Sequence, residues 1–196
     1  MWVPWDCLPG VAEVFSGQYA FTAGTVVEGV PKVLDIGANC GAFSIWSRRE
    51  WPGCYVHAYE PQPDIFSCLA INLQGIPNVT AHACAVGDPK LNRLLKGRYN
   101  RLTSAQTDIG EQTTEAIEIS VLRPEELPVA DIIKIDAEGA EAYIIEHLAY
   151  LPAALVFEWH GLQNRRRIEI ALEGRMNLAR VGTLSVHTGI HIWLKP

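Results

Sequence analysis

Short apolar runs that stop at a polar residue alternate with stretches of helical spacing along most of this chain, and nothing else in it limits the fold as much. The first run, "PKVLDIG" (31–37), is followed by "AFSIWSRREW" (42–51), where the apolar positions turn helical. Next come "CYVHAYE" (54–60), "DIFSCLAINLQ" (64–74) and "NVTAHACAVGD" (78–88). An apolar run closed by glycine fits a strand covered on both faces. In the second helical stretch Ile65, Phe66, Leu69 and Leu73 share a face behind Asp64, the expected N-cap. Three strands alternating with two helices predict β-α-β units, a parallel sheet and right-handed crossovers.

The alternation lapses over 89–114, which is polar and basic, and a short strand at 116–122 with a turn at "RPEELP" follows. It resumes with a strand at 130–139, a helix at 140–151 and a strand at 153–160. Residues 163–180 read as helix, interrupted by Gly174. The two alternating runs of "TLSVHTGIHIWLKP" (183–196) predict a hairpin, which adds an antiparallel strand to the parallel set.

Composition narrows the class. A chain of 196 residues suits one domain, 1–196, with one core. Residues 1–30 carry no signal-peptide pattern and no apolar run is long enough to span a bilayer, so the cytoplasm is the expected location, without a membrane partner. Five cysteines, with no C-x-x-C pair, argue against a disulfide framework and a zinc site. A net charge of −6 opposes a surface that tracks nucleic acid. The exception is "KLNRLLKGRYNR", where Lys90, Arg93, Lys96, Arg98 and Arg101 gather around Tyr99. It reads first as a solvated loop face, and more sharply as a landing strip for an anionic substrate.

In an open parallel sheet, ligands bind outside the carboxyl ends of the strands. The polar residues there are Asp35 with "GANCG", Glu60, "AVGD" (85–88), Asp136 with Glu138, and Glu158 with His160. Gly37 and Gly41 remove Cβ atoms where a ligand approaches the backbone and a helix closes onto the strand. Alone, that pattern is weak. Glu60, 25 residues after Asp35, strengthens it, because a carboxylate beside the glycine turn accepts hydrogen bonds from both hydroxyls of a ribose. The glycine spacing departs from G-x-G-x-x-G, which opposes an NAD-dependent oxidoreductase and suits a phosphate-free nucleoside.

Together "VLDIGANCGAFS", "AYEPQPDIFSCLAINL", "NVTAHACAVGD" and "IIKIDAEGAEAYIIEHL" resemble the class I S-adenosylmethionine-dependent methyltransferases, and among them the FkbM family, over about residues 30–160. The resemblance implies an α/β, Rossmann-like fold: a seven-stranded, mostly parallel sheet with an antiparallel C-terminal hairpin strand and helices on both faces. Residues 1–30 would form an N-terminal cap and 89–128 an insertion contributing to the substrate site. It implies the cofactor S-adenosyl-L-methionine, with Asp35, Gly37, Ala38, Asn39 and Gly41 around its methionine part. Glu60 would hold the ribose and Ala85 and Val86 would flank the adenine, with Pro61 among the cofactor-binding residues and Tyr19 folding over the cofactor.

The implied reaction is O-methylation of a hydroxyl on a small molecule such as a sugar or natural-product scaffold, an anionic one if the basic cluster meets it. Orientation supplies much of the rate, and a base removes the hydroxyl proton. Candidates for that base are Asp136, Glu138, Glu158 and His160, with Asp136 expected to line the cofactor and Glu138 or His160 nearer the acceptor. Asp136 shares a strand face with Lys134, and a buried Lys–Asp pair is the plainer alternative. A divalent cation on Asp136, Glu138 and Glu141 ranks below a metal-free site for want of a fourth partner. The competing readings are an RNA methyltransferase and a non-catalytic S-adenosylmethionine-binding module. His57, His82, His187 and His191 read as packing or hairpin residues.

Overall fold

Residues 132–135, "IIKI", are all buried, as expected of a strand in mid-sheet whose two faces are both covered. The computed structural model describes residues 1–19, 21, 27–95, 101–103, 116–183, 185 and 187–196. A 3-10 turn (Trp5–Cys7) and helix α1 (Leu8–Phe15) precede β1 (Lys32–Ile36), α2 (Ala42–Glu50), β2 (Tyr55–Tyr59), α3 (Pro63–Leu73) and β3 (Val79–His82). Five short strands follow: β4 (Ala85–Val86), β5 (Arg93–Leu95), β6 (Arg101–Thr103), β7 (Ala116–Glu118) and β8 (Val121–Leu122). Then come β9 (Ile132–Ile135), α4 (Glu141–Glu146), β10 (Ala154–His160), α5 (Leu162–Leu172), β11 (Asn177–Thr183) and β12 (Thr188–Leu194).

The main sheet has seven strands in the order β11-β12-β10-β9-β1-β2-β3. Strand β12 runs antiparallel to both β10 and β11, and the other pairings are parallel, so six strands share one direction. From β1 the chain steps outward to β2 and β3, then returns to place β9 and β10 on the other side. The strand order therefore reverses between β1 and β9, and a crevice opens there at their carboxyl ends.

The period-2 alternation of each strand divides the core. Leu34, Ile36, Ile133, Ile135, Leu155 and Phe157 pack with Ile144 and Ile145 of α4 and Ile168 and Leu172 of α5. Val33, Ile132, Ala154 and Val156 pack on the opposite face with Val14 of α1 and Phe43 and Trp46 of α2. Parity then assigns Asp35, Lys134 and Glu158 to the α1/α2 face, so three charged side chains enter that layer side by side. Among the described residues no helix is long and apolar enough to cross a membrane.

Several expected boundaries move. The strand expected over 78–88 divides, and β4 leaves the main sheet to pair in parallel with β8. The strand expected over 116–122 divides likewise; β7 joins β5 and β6 in a small antiparallel sheet. Helix α3 is capped by Gln62 with Pro63 at its first position, so Asp64 sits in the first turn and is not the N-cap. The helix expected over 140–151 ends at Glu146. That expected over 163–180 ends at Leu172, because Gly174 takes a left-handed φ of +70° and the chain turns back as edge strand β11. The basic cluster between Lys90 and Arg101 falls largely outside the described residues.

Candidate active site

The turn after β1 is shaped by its neighbours. Gly37 has φ +71°, and a Cβ there would lie 1.7 Å from the backbone oxygen of Asp136. Gly41 has φ +91°, and a Cβ there would lie 2.9 Å from Leu69 Cδ1 of α3. Gly37 is thus required by the protein's own packing against the end of β9, and Gly41 is favoured by its left-handed φ and by the close approach of α3. Gly37 and Ala38 both donate their N–H to the Tyr59 carbonyl, at 3.0 and 2.9 Å, which ties the turn to β2.

Lys134 holds the turn from beneath. Its Nζ donates to the carbonyls of Gly37 (2.6 Å) and Ile36 (3.3 Å) and lies 3.2 Å from Asp35 Oδ1 and 3.9 Å from Asp136 Oδ2. Asp35 is fully buried and also accepts from Ser44 Oγ at 2.7 Å. Burial pulls the Lys134 pKa down, but the facing carboxylates of Asp35 and Asp136 reverse the shift and leave it above the usual range. The Lys–Asp pair raised as the plainer alternative therefore exists, and its nearer carboxylate is Asp35 across β1.

Glu60, 8% exposed, receives one backbone donor on each oxygen: Asn39 N–H at 3.0 Å and Gln62 N–H at 2.9 Å. Each oxygen keeps a second lone pair. Burial pushes its pKa up to about 7, against the lowering pull of those two donors. Asn39, at φ +52°, caps its own turn by accepting the Cys40 N–H on Oδ1 at 2.7 Å.

A second group of charges surrounds His160. Its Nδ1 lies 3.0 Å from Glu141 Oε1, and its Nε2 lies 3.4 Å from Glu138 Oε2 and 3.7 Å from Glu158 Oε1. Glu141 is fully buried, accepts from the backbone of Ala137 and Gly139, both at 3.0 Å, and is held by a short contact from Asn164 Nδ2. Burial opposes charge on His160, but Glu141 and the carboxylates around it outweigh that and push its pKa up to about 9. Burial, then the nearby Asp136, raises Glu158 to about 8. Asp136 and Glu138 are raised as well, by desolvation first. One ligand atom each from Asp136, Glu138 and His160 falls within 4.8 Å of the others.

Between these groups lies a cavity of about 40 Å³, with Gly10, Glu13, Val14 and Tyr19 on one side and Gly37, Ala38, Asn39, Lys134 and Asp136 on the other. That volume holds a few waters, far below the several hundred Å³ of a nucleoside site. Helix α1 and Tyr19 close it. Tyr19 is buried, packs on Phe43 at 5.8 Å, and points its hydroxyl at Glu158 Oε2, 3.5 Å away.

The residues singled out from the sequence separate as follows. Tyr19, Gly37, Ala38, Asn39 and Asp136 line the cavity, Glu60 adjoins it through Asn39, and Asp35 lies behind Lys134. Glu138 and His160 stand beyond Asp136. Ala85 and Val86 are buried in the β4–β8 ladder and, like Pro61, are not among the cavity's lining residues. Sequence reasoning missed Glu13, Ser44 and Asn164. Ser44 lies one turn into α2 on its buried face, a polar residue where the spacing asks for an apolar one, and that signal was readable. His191 is buried in mid-strand rather than flanking the hairpin turn.

Comparison with known proteins places these features in context. The Methyltransferase FkbM domain family matches residues 35–178. Methyltransferase sdnD of Sordaria araneosa is 25% identical over 188 residues, covering 74% of this chain and 73% of that protein. The 31-O-demethyl-FK506 methyltransferase FkbM of Streptomyces tacrolimicus is 37% identical over 60 residues, 31% of this chain and 23% of its own. Among solved structures, magnesium protoporphyrin IX methyltransferase of Synechocystis, with bound S-adenosylmethionine, superposes with a TM-score of 0.57 at 14% identity, over 100% of this chain and 86% of that one. Aeropyrum pernix fibrillarin with natively bound S-adenosyl-L-methionine does so with a TM-score of 0.57 at 12% identity, over 95% and 74%. At these identities the likeness is one of fold.

Proposed function

Because the chain belongs to the FkbM methyltransferase domain family and has the Rossmann-like class I methyltransferase fold, we propose that it moves a methyl group from S-adenosyl-L-methionine to a hydroxyl oxygen of a small molecule. The observation that carries this reading is the position of Asp136, which lines the cavity at the tip of β1 and also belongs to the Glu138–His160 cluster. Donor and acceptor would meet at that carboxylate.

The donor set fits the cofactor's chemistry. Glu60 has spare lone pairs for two ribose hydroxyls, and Lys134, which lines the cavity, is turned to Asp35 and to the Gly37 and Ile36 carbonyls rather than offered to a phosphate. When bound, S-adenosylmethionine supplies a sulfonium methyl carbon, whose bond to sulfur breaks as the carbon–oxygen bond forms, the electron pair staying on sulfur. Entry requires α1 and Tyr19 to move off the cavity, and their return excludes water from the reacting atoms. Asp136, Glu138 and Glu158 offer carboxylates to take the acceptor's proton, while Glu141 fixes the ring of His160 between them.

The test is incubation with methyl-labelled cofactor and a panel of sugars, glycosides, small acids and RNA. Label is expected in a hydroxylated small molecule. Label in RNA alone would replace this acceptor class, and binding without transfer to any pool would make the protein a cofactor-binding module.

A further inference from the structure

We propose that Asp136, Glu138 and His160 form a binding site for one six-coordinate divalent cation of the Mn²⁺ type, with its remaining positions open to water and to the acceptor's oxygens. One donor atom from each of the three lies within 4.8 Å of the others. At a metal–ligand distance of about 2.1 Å, adjacent octahedral donors are about 3.0 Å apart. The 3.4 Å between His160 Nε2 and Glu138 Oε2 is close to that edge.

Two further observations separate this group from an ordinary acidic surface. The first is the support behind the imidazole. His160 Nδ1 faces fully buried Glu141, which is itself fixed by the backbone of Ala137 and Gly139 and by Asn164. A carboxylate on Nδ1 retains the proton there, so that a cation displaces the one on Nε2 and meets its lone pair, an arrangement that recurs behind metal-bound histidines. The second is charge. Asp136, Glu138 and Glu141 face His160, itself cationic when no metal is bound, and one ammonium, Lys134, which already spends its hydrogen bonds on Gly37 and Ile36 and lies nearer Asp35. The cluster is short of positive charge, and a dication corrects the deficit where the carboxylates converge. Two oxygen donors and one imidazole suit Mn²⁺ better than a thiolate-seeking ion. Glu141, the third member of the cation set weighed from sequence, is turned to His160 instead and acts through it.

A cation there would bind the acceptor's hydroxyl oxygen and ease loss of its proton to a neighbouring carboxylate before the methyl carbon arrives. That role rests on the methyltransferase reading; the binding of the ion does not.

The test uses Mn²⁺ alone with the full chain, followed by electron paramagnetic resonance. One ion per chain is expected to lose its free-solution signal, with pulsed spectra showing one directly bound imidazole nitrogen. Glu138→Gln, on a side chain 38% exposed and so tolerant of change, is expected to weaken binding about tenfold or more, and His160→Gln to abolish the nitrogen coupling. No retained Mn²⁺ at millimolar ion, or retention unaltered in both variants, overturns the site. Methyl transfer without Mn²⁺ binding would discard the site and keep the enzyme; Mn²⁺ binding without transfer would do the reverse.

Discussion

Lys134 Nζ lies 3.2 Å from Asp35 Oδ1 across the β1–β9 pairing, with the lysine side chain 5% and the aspartate 0% exposed. Such a pair gains little over an apolar one, but removing one member strands the other charge in the core. Lys134→Met is expected to cost about 3–5 kcal/mol in denaturant unfolding. The double variant with Asp35→Asn should recover part of that loss, and a strictly additive double variant would show that the two charges do not depend on each other.

The two glycines of the turn should respond differently. At Gly37 an added Cβ meets backbone, the Asp136 oxygen at 1.7 Å, and backbone cannot step aside. At Gly41 it meets the end of the Leu69 side chain at 2.9 Å, which can rotate. Gly37→Ala is expected to prevent stable folding, a loss above about 4 kcal/mol, whereas Gly41→Ala should fold with a loss of about 1–3 kcal/mol, mainly from its left-handed φ. Equal losses in thermal melts would refute the distinction.

Glu60 should make cofactor binding depend on pH. Its pKa is pushed up to about 7 in the folded protein, above the 4.5 of an unperturbed glutamate. Ribose hydroxyls donate to the carboxylate form, so binding must first expel the proton below that pKa. Affinity for S-adenosylmethionine is expected to rise about tenfold between about pH 6 and about pH 8 and then level off. Calorimetry in buffers of different ionisation enthalpy should detect the released proton, and Glu60→Ala should flatten the profile.

His57 Nδ1 and His82 Nε2 meet at 3.0 Å on adjacent strands β2 and β3, which requires one ring to donate and the other to accept. Burial holds both below the usual histidine pKa, and the charge of His57 lowers His82 further. The unfolded chain therefore takes up protons at a higher pH than the folded one, and stability present above about pH 6.5 is lost as pH falls through that value. Replacing both with Phe should leave a denaturation midpoint that changes less between about pH 7 and about pH 5.

Strands buried on both faces could be read directly: "VLDI" and "IIKI" are continuous apolar runs broken only by the residues that pair with each other, Asp35 and Lys134. What could not be read was the partner. Asp35 and Asp136 are equally plausible mates for Lys134 by parity alone, and only the adjacency of β1 to β9, set 99 positions apart by Lys32 and Asp131, brings Asp35 nearer. Strand β11 was hidden for a different reason. Leu178 and Val181 are exposed and an irregular register interrupts its pairing, so an edge strand there shows little period-2 signal. The Glu141–His160–Asn164 contacts join the start of α4, the end of β10 and α5, and no local pattern announces them.

Strand β12 comes after β11 in the chain yet lies between β10 and β11 in the sheet, antiparallel to both. During translation, Ala154–His160 emerges with one side unsatisfied and stays so until the reversed strand has left the ribosome and threaded in beside it. For that interval the nascent protein exposes a seven-residue, mostly apolar template to any neighbouring polypeptide. Shortening the chain ahead of Thr188 would make that interval permanent, taking out the stave next to the sheet's edge and casting β11 adrift.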